Sequence, residues 1–162
     1  MLNKLKKTSS EGFTIIEVMI VLAIAALILL IVLLAVPALQ RNARNTSRRN
    51  DASSLVSAIN EYISNQNGAL PTSAADFTAN WKPGYYTTSD VTFTTNANQD
   101  TTDPSPASGS HIYVETYADC NSTETGIGSA SATVNSNNIV VIYWVEAPGN
   151  ANGLQEECAT AQ

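Results

Sequence analysis

The sequence predicts an α+β fold: one long N-terminal helix, half membrane-spanning and half amphipathic, packed on one antiparallel sheet of about four strands. Three observations predict it. Val18 to Leu39 is a run of 22 residues without a charge, dominated by Ile, Leu, Val and Ala. Apolar residues then recur at helical spacing, with Ala52, Leu55, Val56, Ala58, Ile59, Tyr62 and Ile63 forming one stripe. Beyond Gly68 the pattern changes to short apolar or alternating runs, separated by stretches rich in Asn, Thr, Pro and Gly.

The uncharged run matches the length a helix needs to cross a hydrocarbon core of about 30 Å. Ahead of it, "MLNKLKKTSSEG" carries Lys4, Lys6 and Lys7, like the basic start of an export signal. No small-residue cleavage site follows the apolar run, because "LLAVPALQRNARN" passes into a polar helix. A basic leader ending in Gly12 therefore suggests cutting before the apolar segment, on the cytoplasmic side, with that segment retained. An uncleaved signal anchor is the alternative.

The helix is expected to continue past Pro37, which removes one backbone donor and should bend the chain near Leu33. In "NQNGALP", Gly68 is the expected left-handed cap and Pro71 the stop. The strand candidates are "GYYTTSDVTFTT", "HIYVETY", "SATVN" and, as a central strand, "NNIVVIYWVEA". Tyr85 and Tyr86 are assigned to sheet packing in preference to surface contact.

Charge is divided sharply. From Asp51 onward, twelve acidic residues face a single base, Lys82, whereas Arg41, Arg44, Arg48 and Arg49 crowd the neck before it. An acidic head repels phosphate backbones, so direct nucleic-acid binding by the head is not expected. Arg41, Arg44 and Arg48 fall on one helical face and are expected to meet anionic lipid, then acidic heads of adjacent subunits, although each alone would be satisfied by solvent. Three lysines before the span and four arginines after it give the positive-inside rule no direction. The cysteines do. Cys120 and Cys158 are the only two, both in the head, and an even pair behind an export element indicates a disulfide formed outside the cytoplasm, two buried free thiols being the alternative.

Catalytic signals are weak. His111 is the only histidine, and HExxH, GxSxG, CxxC and phosphate-binding glycine loops are all missing, so no enzyme, cofactor or resident metal is expected. Asp100 and Asp103 in "NQDTTDP" are a faint calcium-loop candidate against a solvated turn. Asn45 and Asn121 open N-x-S/T sequons that matter only in a host that glycosylates them.

The string "GFTIIEVMIVLAIAALI" resembles the signature of type IV prepilins: a leader ending in Gly12, a Phe13 that becomes the new N-terminus, and a glutamate, Glu17, at the fifth mature position. The resemblance covers about the first 40 residues and matches the head by layout alone. It implies the pilin fold, cleavage between Gly12 and Phe13 by a membrane-embedded prepilin peptidase, methylation of the Phe13 amine, and polymerisation into a surface filament. The implied partners are other copies of the chain, the peptidase, an assembly platform and motor ATPases. The implied functions are adhesion, twitching motility or DNA uptake. The subunit would sit in the inner or cytoplasmic membrane as a single-pass protein with its head outside, then in an extracellular filament. Residues 1–12 would be the leader, 13–39 the transmembrane and filament-core helix, 40–67 its amphipathic half and 68–162 the head. Loss of the leader leaves five bases against thirteen acids, a net charge of −8. A pseudopilin of a type II secretion or competence system shares these features, and a monomeric surface-binding domain on an uncleaved anchor is the alternative of another class. Pilins resembling this one often close a C-terminal loop by a disulfide, which here would tie "LQEECATAQ" to the sheet and contribute roughly 3 to 4 kcal/mol in the chain-entropy picture.

Glu17 has no cation near it in sequence. A charge within a membrane helix costs about 2.5 to 3.5 kcal/mol near the bilayer centre, and such groups usually face a partner. The resemblance supplies one: the Phe13 amine of a neighbouring, axially staggered subunit. A glutamate snorkelling to the interface without a partner is the simpler alternative.

Overall fold

The computed structural model describes residues 12–95, 110–121, 123 and 138–161. Helix α1 runs Ile15–Asn65 and continues through Pro37. The chain divides into two compact units, Met1–Gln40 and Arg41–Gln162. In the first, every large apolar side chain from Phe13 to Leu39 is exposed, from 40% at Val36 to 90% at Phe13. That helix is long and apolar enough to cross a membrane.

The second unit is built on a four-stranded sheet in the order β1-β2-β3-β4, with β1 at Val91–Thr95, β2 at Ile112–Thr116, β3 at Ile139–Glu146 and β4 at Leu154–Ala161. The pairs β2–β3 and β3–β4 are antiparallel, while β1 runs parallel to β2 with Val91 opposite Ile112. The sheet is thus mostly antiparallel, with the exception at its edge. "SATVN" lies outside the described residues. Among the described residues the last strand is "LQEECATA", where Glu156, Glu157 and Gln155 hide the strand pattern.

β3 is buried on both faces, and its alternation divides two cores. Ile139, Val141, Tyr143 and Val145 join Ile112 and Val114 of β2 and Ala52, Leu55 and Ile59 of α1. Val140, Ile142 and Trp144 point the other way, with Cys158, Ala118, Tyr113 and Cys120. The first core is the one the helical stripe covers. Leu55 and Ile59 are wholly buried, and truncating either to Ala would cost roughly 2 to 5 kcal/mol. A short helix, α2, at Ala75–Thr78 adds Phe77, whose ring lies 5.8 Å from that of Phe93.

α1 ends in a Schellman arrangement. The Gly68 amide donates to Ile63 O at 2.9 Å, and the residue holding the left-handed cap position is Asn67, with φ 55°. Gly68 follows with φ 90°. The expected cap therefore shifts one residue earlier, to a side chain that tolerates this conformation better than most.

Candidate assembly site

The N-terminal unit opens on a capping box. Thr14 precedes the first helical residue, its Oγ1 accepts the Glu17 amide at 3.3 Å, and Glu17 Oε2 accepts the Thr14 amide at 2.8 Å and hydroxyl at 2.7 Å. Thr-x-x-Glu satisfies two of the amide donors that a helix start leaves unpaired. The carboxylate also sits where the helix dipole favours negative charge. The signal was present in "TIIE", and it gives Glu17 a partner in its own chain. Phe13, Glu17, Val18, Val21 and Leu22 line one open apolar cleft. A Cβ at Gly12 would meet nothing within 4 Å, so packing does not require glycine there.

In the second unit, the Arg44 to Asp51 stretch of α1 is held by polar contacts. Arg44 grips Glu146 with Nε to Oε1 at 2.6 Å and NH2 to Oε2 at 2.7 Å. Asn45 pairs with the Glu146 backbone as a strand would, donating to its carbonyl at 2.9 Å and accepting its amide at 2.8 Å. Arg48 is 4% exposed, donates to Trp144 O at 3.1 Å and to the Tyr85 hydroxyl at 2.6 Å, and lies 4.6 Å from the Tyr85 ring centroid. Asp51, also buried, accepts the amides of Gly84, Tyr85 and Tyr86 at 2.8, 2.7 and 3.0 Å. Three consecutive N–H groups converging on one carboxylate compensate its burial and fix the loop that carries both tyrosines. Trp81 Nε1 completes the lock, donating to Ser54 Oγ at 2.8 Å. Arg49 pairs with Glu157 of β4.

The neck arginines therefore do not form a free basic face. Arg48 is buried and bonded inside its own head, and Arg44 is paired with Glu146 of the same chain. Arg41, half-buried, adds its charge to the field at Glu146. The Arg44 hydrogen bonds, followed by the charges of Arg44, Arg48 and Arg41, hold the Glu146 carboxyl below the ordinary value against the opposing effect of burial. Hydrogen bonding to Arg49 does the same for Glu157. Asp51, Glu146 and Glu157 carry no functional expectation from the sequence, and Asn45 only that of a sequon. For the helical residues a signal exists: Asn45, Arg48 and Asp51 extend the stripe of Ala52, Leu55 and Ile59 towards the N-terminus.

Cys120 and Cys158 are disulfide-bonded, with Cα atoms 5.7 Å apart, across 38 positions of sequence. The bond joins β4 to the segment after β2 and packs with Trp144 and Ile142. Tyr85 is half-buried over Arg48 and Tyr86 is buried in the core, its hydroxyl pushed up by burial. Among the described residues no group of three His, Cys, Asp or Glu is placed to hold a metal. Asp100 and Asp103, like Lys4, Lys6 and Lys7, lie outside the described residues.

Residues 7–33 match the family model of the prokaryotic N-terminal methylation motif. That motif is the class III signal peptide of type IV pilins; it implies processing by a prepilin peptidase and association with a membrane, and marks a type IV pilin-like or pseudopilin protein. No curated protein and no solved structure matches the chain.

Proposed function

We propose that this chain, carrying the N-terminal methylation motif of the type IV pilins, is a structural subunit that polymerises into a type IV pilus through its first helix. The observation that carries the reading is a helix start with apolar side chains bare on every side and one carboxylate, Glu17, beside Phe13 in the same cleft. Such a surface has two favourable environments, lipid and other copies of itself. The fold makes no packing use of the glycine at position 12, which ends the leader in the proposed cut. Cleavage then exposes the Phe13 amine, a cation at the depth of Glu17. Within a bundle of such helices an unpaired member of that pair is strongly penalised, so pairing between staggered subunits favours one register.

The head is displayed outside the cytoplasm, where its disulfide persists. Its role is mechanical, in adhesion, twitching motility or DNA uptake, and extension needs the platform and motor ATPases as partners. Electron microscopy of sheared surface material, with mass spectrometry of its subunits, tests the reading: filaments built of this chain, beginning at a methylated Phe13, are expected. A cell-associated monomer that retains Met1 to Gly12 would overturn it.

A further inference from the structure

The last turns of α1 and the short helix α2 enclose a polar cleft of about 200 Å³. Glu61 and Asn65, one turn apart on the same face of α1, line it with Tyr62 and Gln66, and Asp76, Phe77 and Asn80 line it from the side of α2. Phe77 is buried and Tyr62 half-buried because both pack on the first core, which gives the lining a small aromatic part. Glu61, Asn65, Gln66 and Asn80 are exposed, and among the described residues their side chains make no hydrogen bond to the protein. Asp76 is fixed in place: its Oδ2 accepts the amides of Thr72 at 2.8 Å and Ser73 at 2.9 Å. No residue of the bare apolar run takes part, so this cleft is separate from the one beside Glu17.

We propose that this cleft binds one ring of a neutral saccharide. A sugar hydroxyl is donor and acceptor at once, and it is matched best by groups that offer both. The three carboxamides of Asn65, Gln66 and Asn80 do so, each with an acceptor oxygen and two N–H donors, while Glu61 and Asp76 add acceptors for hydroxyl protons. The ring also has C–H faces, which need an apolar surface, and the aromatic part of the lining at Tyr62 and Phe77 supplies one. The size suits a single ring, since clefts for drug-sized ligands run to roughly 300 to 1,000 Å³. Charge sets the class. Two carboxylates in the lining of a strongly acidic head repel uronic and other acidic sugars, so the ligand carries no acid group. Because most of these carboxamides and carboxylates spend no hydrogen bond on the protein, binding replaces water at them without breaking an internal contact.

The inference deepens the proposed function, giving adhesion a ligand class, and rests on the proposed display of the head outside the cell. Saturation-transfer NMR on the full chain in zwitterionic, sugar-free micelles tests it, irradiating aromatic protons and adding the methyl glycosides of glucose, galactose, mannose or N-acetylglucosamine, or glucuronate. Transfer to at least one neutral glycoside and none to glucuronate is expected. The double variant Asn65→Ala, Asn80→Ala should weaken the best binder roughly tenfold or more, whereas Gln155→Ala on β4 should leave it unchanged. Both cleft side chains are exposed, so the double variant should keep the wild-type thermal midpoint, and lost binding then reports the cleft and not the fold. No transfer to any of the neutral glycosides overturns the proposal, as do binding that survives the double variant and equal binding of glucuronate. Filaments built of a chain that binds none of these sugars strike the cleft and leave the filament standing. Sugar binding lost in the double variant, in a chain that forms no filament, supports the cleft and counts against the filament.

Discussion

Glu17 and Thr14 close a reciprocal hydrogen-bonded box at the start of α1, with the carboxylate 2.8 Å from the Thr14 amide and 2.7 Å from its hydroxyl. Glu17 therefore has two separable tasks, local capping and, in the proposed filament, a charge for the Phe13 amine of a neighbour. Replacing Thr14 by Ala removes one side of the cap and costs about 1 kcal/mol of helix start, but leaves the negative charge in place. Filament yield from Thr14→Ala, scored by electron microscopy of sheared material, is expected to remain near wild type. A collapse of yield would mean that capping, rather than charge, is what assembly needs.

The carboxylate of Asp51 organises the loop at Gly84 to Tyr86 through three backbone amides. Asp51→Ala leaves these donors in a buried site without their acceptor. A loss of about 3 kcal/mol is expected, with a lower thermal midpoint for the full chain in detergent micelles and a changed near-ultraviolet signal from Trp81 and Tyr85. A midpoint within a degree of wild type would show that water replaces the carboxylate at no cost.

Glu146 and Glu157 both have carboxyls held below the ordinary value of 4.5 by arginine hydrogen bonds. A carboxylate whose folded value is depressed contributes stability that is fully present above its unfolded value and is lost as pH falls through the folded one. The head should thus lose stability progressively once the pH drops below about 4.5. Glu146→Gln should flatten part of that acid limb while lowering the midpoint at neutral pH. An acid limb of unchanged slope would show that the Arg44 pair contributes nothing to the head.

Cys120 and Cys158 close a separation of 38 residues. Removing the bond with a Cys120→Ala, Cys158→Ala double variant should cost roughly 3 to 4 kcal/mol, because the denatured chain regains the freedom of that loop. The thermal midpoint of the variant measures it. Alkylation of denatured, unreduced wild-type protein should label neither cysteine.

The first helix, the amphipathic stripe and the central strand were legible because each obeys a simple period. Ala52, Leu55 and Ile59 fall at helical spacing, and β3 is a continuous apolar run because both its faces are covered. The polar lock was not legible. Asn45, Arg48 and Asp51 lie on the buried face but look like solvent-facing residues, and they become tolerable inside only through partners 33 to 101 positions away. β4 escaped notice for the same reason: Glu157 reads as an exposed tail residue until Arg49 is placed beside it. Nor does alternation carry strand direction, so the parallel pairing of β1 with β2 had no local signature. At Glu17, by contrast, the capping box stood in four adjacent letters and was overlooked for the more distant partner.

Glu17→Gln tests the filament reading most directly. Glutamine at this position still accepts the Thr14 amide and keeps the cap, but it carries no charge to pair with an incoming Phe13 amine. With Glu17→Gln as the only copy of the chain expressed, the account predicts normal cleavage after Gly12, wild-type amounts of folded protein in the membrane, and little or no filament in sheared material. Wild-type filament yield from this variant would contradict the claim that the Glu17 charge directs assembly.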